Sequence, residues 1–524
     1  MAIPERVEGE RTLRGFGWWV GLAIAALVWT APARAEWYEA RTDHFVLVTD
    51  GDETAARDFA TRLERFDGAL RQLYGIADNP DLHSRPVAIY ALDPRLFFDV
   101  CRCPGVLGYY SGPLAGPRII GISDPKADRR LKLGDLHSQA LMLHEYSHHF
   151  MLTNFPGAYP YWYVEGFAEF NANVDFGEDG SIVLGYPANY RGSALLGGSN
   201  LPLRRLVAPE QYGFGDNVDL TYGRAWLLTH YLMLRPERSG QLNRYLAAIR
   251  AGKSSLVAAK DAFGDFDALD RELDAYMKGA LAPPLRIPAA SAPPKVALRR
   301  LTAGEEDVLP AWLTMKDGVA KGYRKGYALK AERAARKHPD DAVAQAMAAE
   351  VSFMADRFAE AEALADRALE LDPKSDRALL LKGRLATQKA IEGAPKDSAG
   401  WAAGREWFVR ANRADPQSVE AFYRYFGSYA WAGKAVPAGA VQGLIRASIL
   451  APENEQVAIS LALQKLREGD GAAARSLLIP LASAPHRPRD DNVAQSIIGQ
   501  IDGGKTQEAI TALAALEVKA RGRY

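Results

Sequence analysis

The stretch LMLHEYSHHF, residues 141–150, contains three of the nine histidines in this 524-residue chain, together with one glutamate. A helix presents residues four positions apart on one face, so His144 and His148 can direct their imidazoles at a common point. Glu145 lies beside that point, where it can hold a water molecule. His149 is rotated by about 100° and cannot join the pair within a regular helix. The spacing therefore predicts an H-E-x-x-H helix that binds a metal ion.

The residues around this motif favour a helix. Apolar side chains recur at helical spacing, at Leu136, Ala140, Leu143 and Phe150, and Asp135 is a candidate N-cap. With so few histidines, a chance H-E-x-x-H is expected on the order of once in a hundred such chains. The alternative interpretation is a polar patch of coincidental histidines on a surface helix.

A catalytic zinc site needs a third protein ligand, and WYVEGFAEF, residues 162–170, offers two glutamates four positions apart. We assign Glu165 as the metal ligand. Glu169 is then expected in the second shell, where it accepts a hydrogen bond from a liganding imidazole. The alternative is a pair of solvated glutamates, but neighbours such as Trp162 and Phe167 indicate a buried segment, in which carboxylates need partners. The nitrogen and carboxylate ligand set favours zinc.

HEYSH followed by WYVEGFAEF resembles the gluzincin metallopeptidases, above all the aminopeptidase-N-like branch, which carries H-E-x-x-H and then W-L-N-E-G-F-A. The resemblance covers about residues 36–280. It implies that His144, His148 and Glu165 hold Zn²⁺ and that Glu145 is the general base for hydrolysis of a peptide bond. The spacing between the two motifs is sixteen residues here and eighteen in that branch, so the connecting loop is shorter.

A second match lies downstream, where TYGRAWLLTHYL, residues 221–232, resembles the family's Y-E-K-G stretch. It implies that Tyr222 steadies the oxyanion, although Arg224 and Ala225 stand where the family has lysine and glycine. The alternative for Tyr222 is an ordinary aromatic on a helix face. The G-A-M-E-N segment that binds a free amino terminus in the aminopeptidases is absent from this sequence. The overall plan resembles a bacterial family of exported, uncharacterised peptidase-like proteins with C-terminal tetratricopeptide repeats.

The first 35 residues are predicted to be a signal peptide. Arginines precede the apolar run GFGWWVGLAIAALVW, and APARA then offers small residues for cleavage after Ala35. The protein is therefore expected to be exported to the periplasm. The alternative is an uncleaved inner-membrane anchor facing the periplasm, the only route by which we expect contact with a membrane.

The region 36–281 mixes strands and helices, and the resemblance implies that it is an α+β, zincin-like metallopeptidase domain with a mixed sheet and a helical subdomain. HFVLVTD (44–50) and PVAIYALD (86–93) read as strands on either side of an amphipathic helix from Ala55 to Leu73. RIIGISD (118–124) reads as a third strand and as a candidate sheet edge for an extended peptide.

A proline-rich stretch, residues 282–296, is predicted to be a linker before helical repeats over 297–524. Prolines recur at intervals of 34, 43, 36 and 33 residues, and alanines lie five residues before the first four of them. The prolines are Pro339, Pro373, Pro416, Pro452 and Pro485, and the alanines are Ala334, Ala368, Ala411 and Ala447. The unit FAEAEALADRALELDP resembles the second helix of a tetratricopeptide repeat. We therefore predict an all-α superhelix, with a generic helical bundle as the alternative.

The charge balance and the two cysteines bear on nucleic-acid binding and on a cysteine zinc site. Lysine plus arginine equals aspartate plus glutamate, at 64 each, so no basic excess favours nucleic acid. Cys101 and Cys103 can oxidise in an exported protein, but a bridge across one intervening residue strains the disulfide geometry. Two cysteines this close, with no second pair in the chain, make a poor zinc site, and we interpret them as a loop feature without catalytic meaning.

Three functional hypotheses remain. The favoured one is an exported zinc peptidase acting on a peptide or protein substrate, with a possible protein partner on the repeats. The second is a non-catalytic exported scaffold with a structural or inactive zinc domain. The third is a zinc hydrolase with a non-peptide substrate.

Overall fold

In the computed structural model the strands form two sheets. The strands are Trp37–Arg41 (β1), Phe45–Asp50 (β2), Val87–Leu92 (β3), Gly108–Ser111 (β4), Arg118–Ile122 (β5), Val174–Phe176 (β6), Ile182–Leu184 (β7), Leu285–Ile287 (β8) and Ala297–Arg300 (β9). A six-stranded mixed sheet has the order β4-β5-β3-β2-β1-β9, and a three-stranded antiparallel sheet has the order β6-β7-β8. The chain is thus a mixed α and β protein, as the sequence predicts.

Helices make up most of the remaining structure. Those before residue 280 are Glu53–Tyr74 (α1), Pro94–Cys101 (α2), Ser138–Asn154 (α3), Tyr161–Ala172 (α4), Gly192–Leu196 (α5), Leu203–Val207 (α6), Pro209–Tyr212 (α7), Val218–Leu234 (α8), Gln241–Arg250 (α9), Ser255–Phe263 (α10) and Phe266–Lys278 (α11). Those after residue 300 are Ala303–Asp317 (α12), Lys321–Lys337 (α13), Ala342–Met354 (α14), Phe358–Leu371 (α15), Asp376–Glu392 (α16), Ala399–Ala414 (α17), Val419–Ala430 (α18), Ala438–Leu450 (α19), Glu455–Arg467 (α20), Gly471–Ala482 (α21), Val493–Asp502 (α22) and Thr506–Arg521 (α23).

The structure describes residues 36–80, 85–124, 128, 130, 136–197, 201–212, 217–290, 292–392, 399–482 and 493–521. The predicted signal peptide, its cleavage site after Ala35, the candidate cap Asp135 and Pro485 lie outside these ranges. Within the described ranges, no helix is both long enough and apolar enough to cross a membrane.

The three predicted strands form the parallel centre of the large sheet. β2 pairs in parallel with β3, and β3 in parallel with β5. Between β2 and β3 the chain forms α1, which begins as predicted at an Asp52 cap whose side chain accepts a hydrogen bond from the Ala55 amide at 2.9 Å.

The expectation that RIIGISD forms an edge of the sheet is wrong. β4 pairs with it in antiparallel register, with Tyr110 opposite Ile119, and β3 lies on its other side. β4 is therefore the outermost strand at this side of the described sheet. Its sequence, GYYS, is only four residues long and sits between glycine-rich turns, so it lacks a readable alternation.

One face of the large sheet packs against α1 and α3. Phe45, Leu47 and Ile89 share a buried cluster with Leu63 of α1 and Phe150 of α3. This core holds the H-E-x-x-H helix firmly against the sheet.

The opposite face packs against helices that follow residue 302. Val48, Tyr90 and Ile120 share a second buried cluster with Val308 and Trp312 of α12. These strands are consequently covered on both faces, which is why their sequences are continuous apolar runs rather than alternating ones.

The predicted linker and the residues directly after it add one strand to each of the two sheets. The stretch 282–296 contains β8, which pairs with β7, and β9 follows it and pairs with β1, with Tyr38 opposite Arg300. From Glu36 onward the chain forms one compact unit.

Helices α12 to α23 pack each against its neighbour along the chain, and α12, α14, α16 and α18 also contact one another in succession. Four of the repeating prolines lie two residues beyond the ends of helices α13, α15, α17 and α19, at Pro339, Pro373, Pro416 and Pro452. The alanines five residues earlier are all buried. Small side chains thus face the helix contacts, and proline ends every second helix.

Cys101 and Cys103 form a disulfide at the end of α2. Arg102 between them has φ 51°, a left-handed conformation that lets the chain turn back on itself.

Candidate metal centre

Helix α3 carries the H-E-x-x-H motif into the core. It begins at Ser138, and its N-cap is His137, whose Nδ1 accepts a hydrogen bond from the Ala140 amide at 3.1 Å. His144 and His148 are buried on one face of the helix, with ring centroids 4.8 Å apart and planes at 88°. The predicted spacing therefore brings the two imidazoles together.

Glu165 on α4 completes a three-residue group. Its Oε2 lies 3.5 Å from His144 Nε2 and 3.7 Å from His148 Nε2. One ligand atom from each of the three residues lies within 4.8 Å of the other two. Tetrahedral zinc with bonds near 2.0–2.1 Å holds its nitrogen and oxygen ligands about 3.3 Å apart. The two separations that involve Glu165 are close to this value, so the three side chains form a candidate site for a divalent ion.

The charge of the site favours a cation. Glu165 is fully buried, and Glu145 is also buried on the same turn as His144. Burial opposes a charge on His144, yet the hydrogen bond with Glu165 and the negative charges of Glu169 and Glu145 raise its pKa to about 9. The same negative potential would attract a metal ion to these nitrogens.

Glu169 lies behind His144, on its Nδ1 side, at 3.8 Å. This distance is longer than a hydrogen bond, so the predicted contact is not formed here. Glu169 is instead held by Tyr190, whose hydroxyl donates to Oε2 at 2.5 Å, and by Arg191, whose Nη2 donates to Oε1 at 2.7 Å. Its buried charge is thereby compensated.

Tyr222 on α8 lies over the site. Its ring is nearly parallel to that of His144, at 22° and 6.2 Å between centroids. Tyr161 donates a hydrogen bond to the Tyr222 hydroxyl at 3.3 Å. Burial and the charge of Glu165 raise the pKa of Tyr222 far above its ordinary value, and burial raises that of Tyr161 to about 12. Both phenols are therefore protonated donors at neutral pH.

His149 faces a different part of the molecule from the metal group. Its Nδ1 lies 3.2 Å from the Tyr110 hydroxyl on β4. Burial, with the positive charge of Arg85 and Arg71, lowers its pKa to about 3, so the ring is neutral.

Three residues that contact the site were not predicted from the sequence. Tyr161 lies one turn before Glu165 on α4, so the four-residue spacing was available as an indication. Tyr190 and Arg191 come from a short 3₁₀ turn, Asn189–Arg191, where no periodic pattern reports which way a side chain points.

His44, Glu64 and Asp67 form a second group with metal-binding residue types. His44 Nδ1 lies 2.8 Å from Glu64 Oε2, while Arg71 Nε and the Tyr146 hydroxyl donate to Asp67 at 2.6 and 2.5 Å. Burial opposes the charge on His44, but its carboxylate neighbours raise its pKa to about 9. An imidazolium and a guanidinium already balance these carboxylates, so this group is an ion-pair network.

No protein-family model matches the chain, and no curated protein is significantly similar to it in sequence. The likeness to the gluzincins rests on the motifs, and the His144, His148 and Glu165 group is the part of the structure on which a function can be argued.

Proposed function

We propose that the protein is a zinc-dependent peptidase. The proposal depends on one observation, the approach of Glu165 Oε2 to within 3.5 and 3.7 Å of the Nε2 atoms of His144 and His148 in a buried setting. Glu145 adds the general base that a purely structural metal site does not need.

His144, His148 and Glu165 would hold the metal. Zinc bound there would supply Lewis-acid chemistry, polarising a carbonyl and making a water molecule more acidic. Glu145 accepts the proton of the attacking water and passes it to the leaving amine. The Tyr222 phenol, held by Tyr161, donates a hydrogen bond to the oxyanion that develops on the substrate.

The position of β4 supports a peptide substrate. This strand is the outermost one on its side of the described sheet, and it packs against α3. A Cβ added to Gly108 of β4 would lie 3.1 Å from the Leu141 side chain, so the strand lies close to the metal helix. An extended peptide that pairs with β4 would run beside the site.

The test is metal analysis combined with digestion of a peptide library by wild type, Glu145→Gln and Glu178→Gln. Glu178 is exposed and serves as the matched control. We expect all three proteins to carry zinc, Glu178→Gln to cleave like wild type, and Glu145→Gln to lose about 100-fold or more in rate. Cleavage by Glu145→Gln at the wild-type rate would refute the mechanism. If no library peptide is cut by wild type, the scaffold or non-peptide hydrolase hypotheses take precedence.

We also propose that helices α12 to α23 form tetratricopeptide-like repeats that present a surface to a substrate or protein partner. The buried alanines and helix-ending prolines support this proposal. Export is proposed from the N-terminal segment, and a disulfide between Cys101 and Cys103 is compatible with an oxidising compartment. Sequencing of the mature N-terminus tests export, with Glu36 expected as the first residue.

A further inference from the structure

A cavity of about 770 Å³ lies between the second face of the large sheet and helices α12, α14, α16 and α18. Its volume is within the range of about 300–1,000 Å³ that is typical of ligand sites. It is separated from the candidate metal centre by the sheet, because α3 packs on the other face.

The two walls of the cavity differ in chemistry. The sheet contributes apolar and aromatic side chains, including Val46, Ala88 and Tyr90, and Met315 and Met354 continue this surface onto the helices. The charged side chains of Glu39, Arg41 and Arg118 line the cavity beside this apolar surface. The remaining helical wall is strongly charged. A ligand that fills the cavity would therefore meet an apolar surface at the centre of the sheet and charged groups on the helices.

Two carboxylates form the centre of the ionic wall. Glu350 on α14 lies 3.2 Å from Lys316 Nζ and 3.0 Å from Arg377 Nη1. Glu420 on α18 lies 2.6 Å from Arg424 Nε, and Arg384 Nη1 is 4.0 Å away from it.

Three cations that line the cavity, Lys316, Arg377 and Arg384, and Arg424 behind them surround these two carboxylates, and Asp376 adds a third negative charge beside Arg377. Two further cations of the cavity lie beside a carboxylate: Arg118 lies 3.8 Å from Asp317 and Arg85 lies 2.8 Å from Glu453. The lining as a whole has eight basic side chains and six carboxylates. Like charges held together away from water are costly, and an anion in the cavity would offset that cost.

The pKa values in the cluster are shifted by burial and by the charges around each group. Burial opposes the charge on Arg377, yet Glu350 and Asp376 raise its pKa. Burial lowers the pKa of Lys316, and the charges of Arg384 and Arg377 lower it further, against the opposing effect of Glu350. Burial would raise the pKa of Glu350, yet Lys316 and Arg377 bring it down to about 2.

We propose that this cavity binds a small organic dianion, with its carboxylate or phosphate groups against Lys316, Arg377 and Arg384 and its apolar part against Tyr90 and the sheet. Guanidinium groups suit such anions because they donate paired hydrogen bonds to two oxygens. The exposed residues Lys374 and Asp376 also line the cavity, so a ligand can enter from solvent. This site is independent of the proposed peptidase activity.

The experiment is calorimetric titration of the full chain at low ionic strength with glutarate, phenyl phosphate and uncharged glutaramide. We expect a dissociation constant below about 1 mM for at least one dianion and no binding of glutaramide. Glutarate and phenyl phosphate distinguish a carboxylate from a phosphate ligand. Failure of both dianions to bind would overturn the proposal, whatever the result for peptide cleavage.

Variants locate the binding. Arg384→Gln is expected to weaken dianion binding at least tenfold, whereas Arg41→Gln, at the exposed rim of the same cavity, should change it less than twofold. Lys316→Met tests the same wall if Arg384→Gln does not fold. Equal binding by the Arg41→Gln protein and by the folded variant of the ionic wall would show that the anion binds elsewhere and would refute the assignment.

Discussion

At the scale of single residues, Glu165 and Glu169 are one turn apart on α4, yet their surroundings give them different roles. Glu169 accepts hydrogen bonds from Tyr190 and Arg191, and the guanidinium of Arg191 balances its negative charge. Glu165 Oε2 instead approaches the Nε2 atoms of both imidazoles. The sequence offers two equivalent carboxylates at helical spacing, and the arginine that separates their roles comes from a turn elsewhere in the chain. The guanidinium of Arg191 also lies 4.9 Å from the Tyr222 ring centroid, so the same arginine contacts both Glu169 and the phenol over the site.

Tyr222→Phe should lower kcat about 100-fold with little change in KM, because the lost hydroxyl serves the transition state rather than the bound substrate. Initial rates on a peptide cleaved by the wild type measure this. Tyr161→Phe is the matched control, since its hydroxyl donates to Tyr222 at 3.3 Å, and we expect a loss of about tenfold or less. A larger loss of kcat in Tyr161→Phe than in Tyr222→Phe would indicate that Tyr161, and not Tyr222, donates to the oxyanion.

At the scale of the elements, the contact of α4 with α8 sets the distance between Glu165 and Tyr222. Gly166 lies at this contact, and a Cβ there would be 2.6 Å from the carbonyl oxygen of Ala225. Gly166→Ala must push the helices apart, at a cost of about 1–3 kcal/mol in the free energy of unfolding. Activity should fall with it, because Tyr222 moves away from the site.

Chemical denaturation and initial rates check both effects. Gly68→Ala in α1 is the control, because nothing lies within 4 Å of the added Cβ, and we expect it to stabilise the protein by about 0.5–1 kcal/mol. Unchanged stability and activity in Gly166→Ala would mean that the helix contact is softer than the structure indicates.

The ion-pair network at His44 ties the start of β2 to α1 and predicts a pH-dependent stability. The carboxylates around His44 raise its pKa from 6.5 to about 9 in the folded protein, although burial opposes its charge. The stabilisation that charged His44 contributes is therefore complete below pH 6.5 and is lost as pH rises through 9. His44→Gln should lower the free energy of unfolding by up to about 3 kcal/mol at pH 6 and by far less at pH 9.5. Urea denaturation at the two pH values measures the difference. Asp78→Asn, which removes one carboxylate neighbour, should show a smaller effect with the same pH dependence, and a pH-independent loss in His44→Gln would contradict the assignment.

Elements with strong periodicity were predictable, and elements defined by their neighbours were not. The spacing of four in HEYSH brings His144 and His148 to one face, and Glu165 from WYVEGFAEF joins them, because a helix fixes side-chain direction locally. The prediction that RIIGISD is an edge strand was wrong, because the order of strands in a sheet depends on tertiary pairing and not on the sequence of one strand. β4 and β9 are short and lack alternation, so their pairing with β5 and β1 is a tertiary event.

At the scale of the whole molecule, the apolar runs of β2 and β3 indicate a shared core, whereas the proline-rich stretch indicates a domain boundary. HFVLVTD and PVAIYALD are apolar on both faces, which requires a second layer over the sheet. That layer is α12 and the helices after it, beyond the proline-rich stretch. Prolines mark where helices stop, but they do not show whether the following chain returns to the same core.

This shared core makes a prediction about truncation. A protein ending at residue 296 would lose β9, leave β1 as an open edge and expose Val48, Tyr90 and Ile120 to water. Exposed apolar surface and an unpaired strand favour aggregation, so we expect this fragment to be insoluble or to unfold without a cooperative transition. A longer fragment ending at residue 356 keeps β9 and α12 to α14, and it should be the more soluble and more cooperative of the two. Thermal unfolding and size-exclusion chromatography compare them, and a fragment 36–296 that unfolds cooperatively at the temperature of the full chain would show that the sheet needs no cover from the helical region.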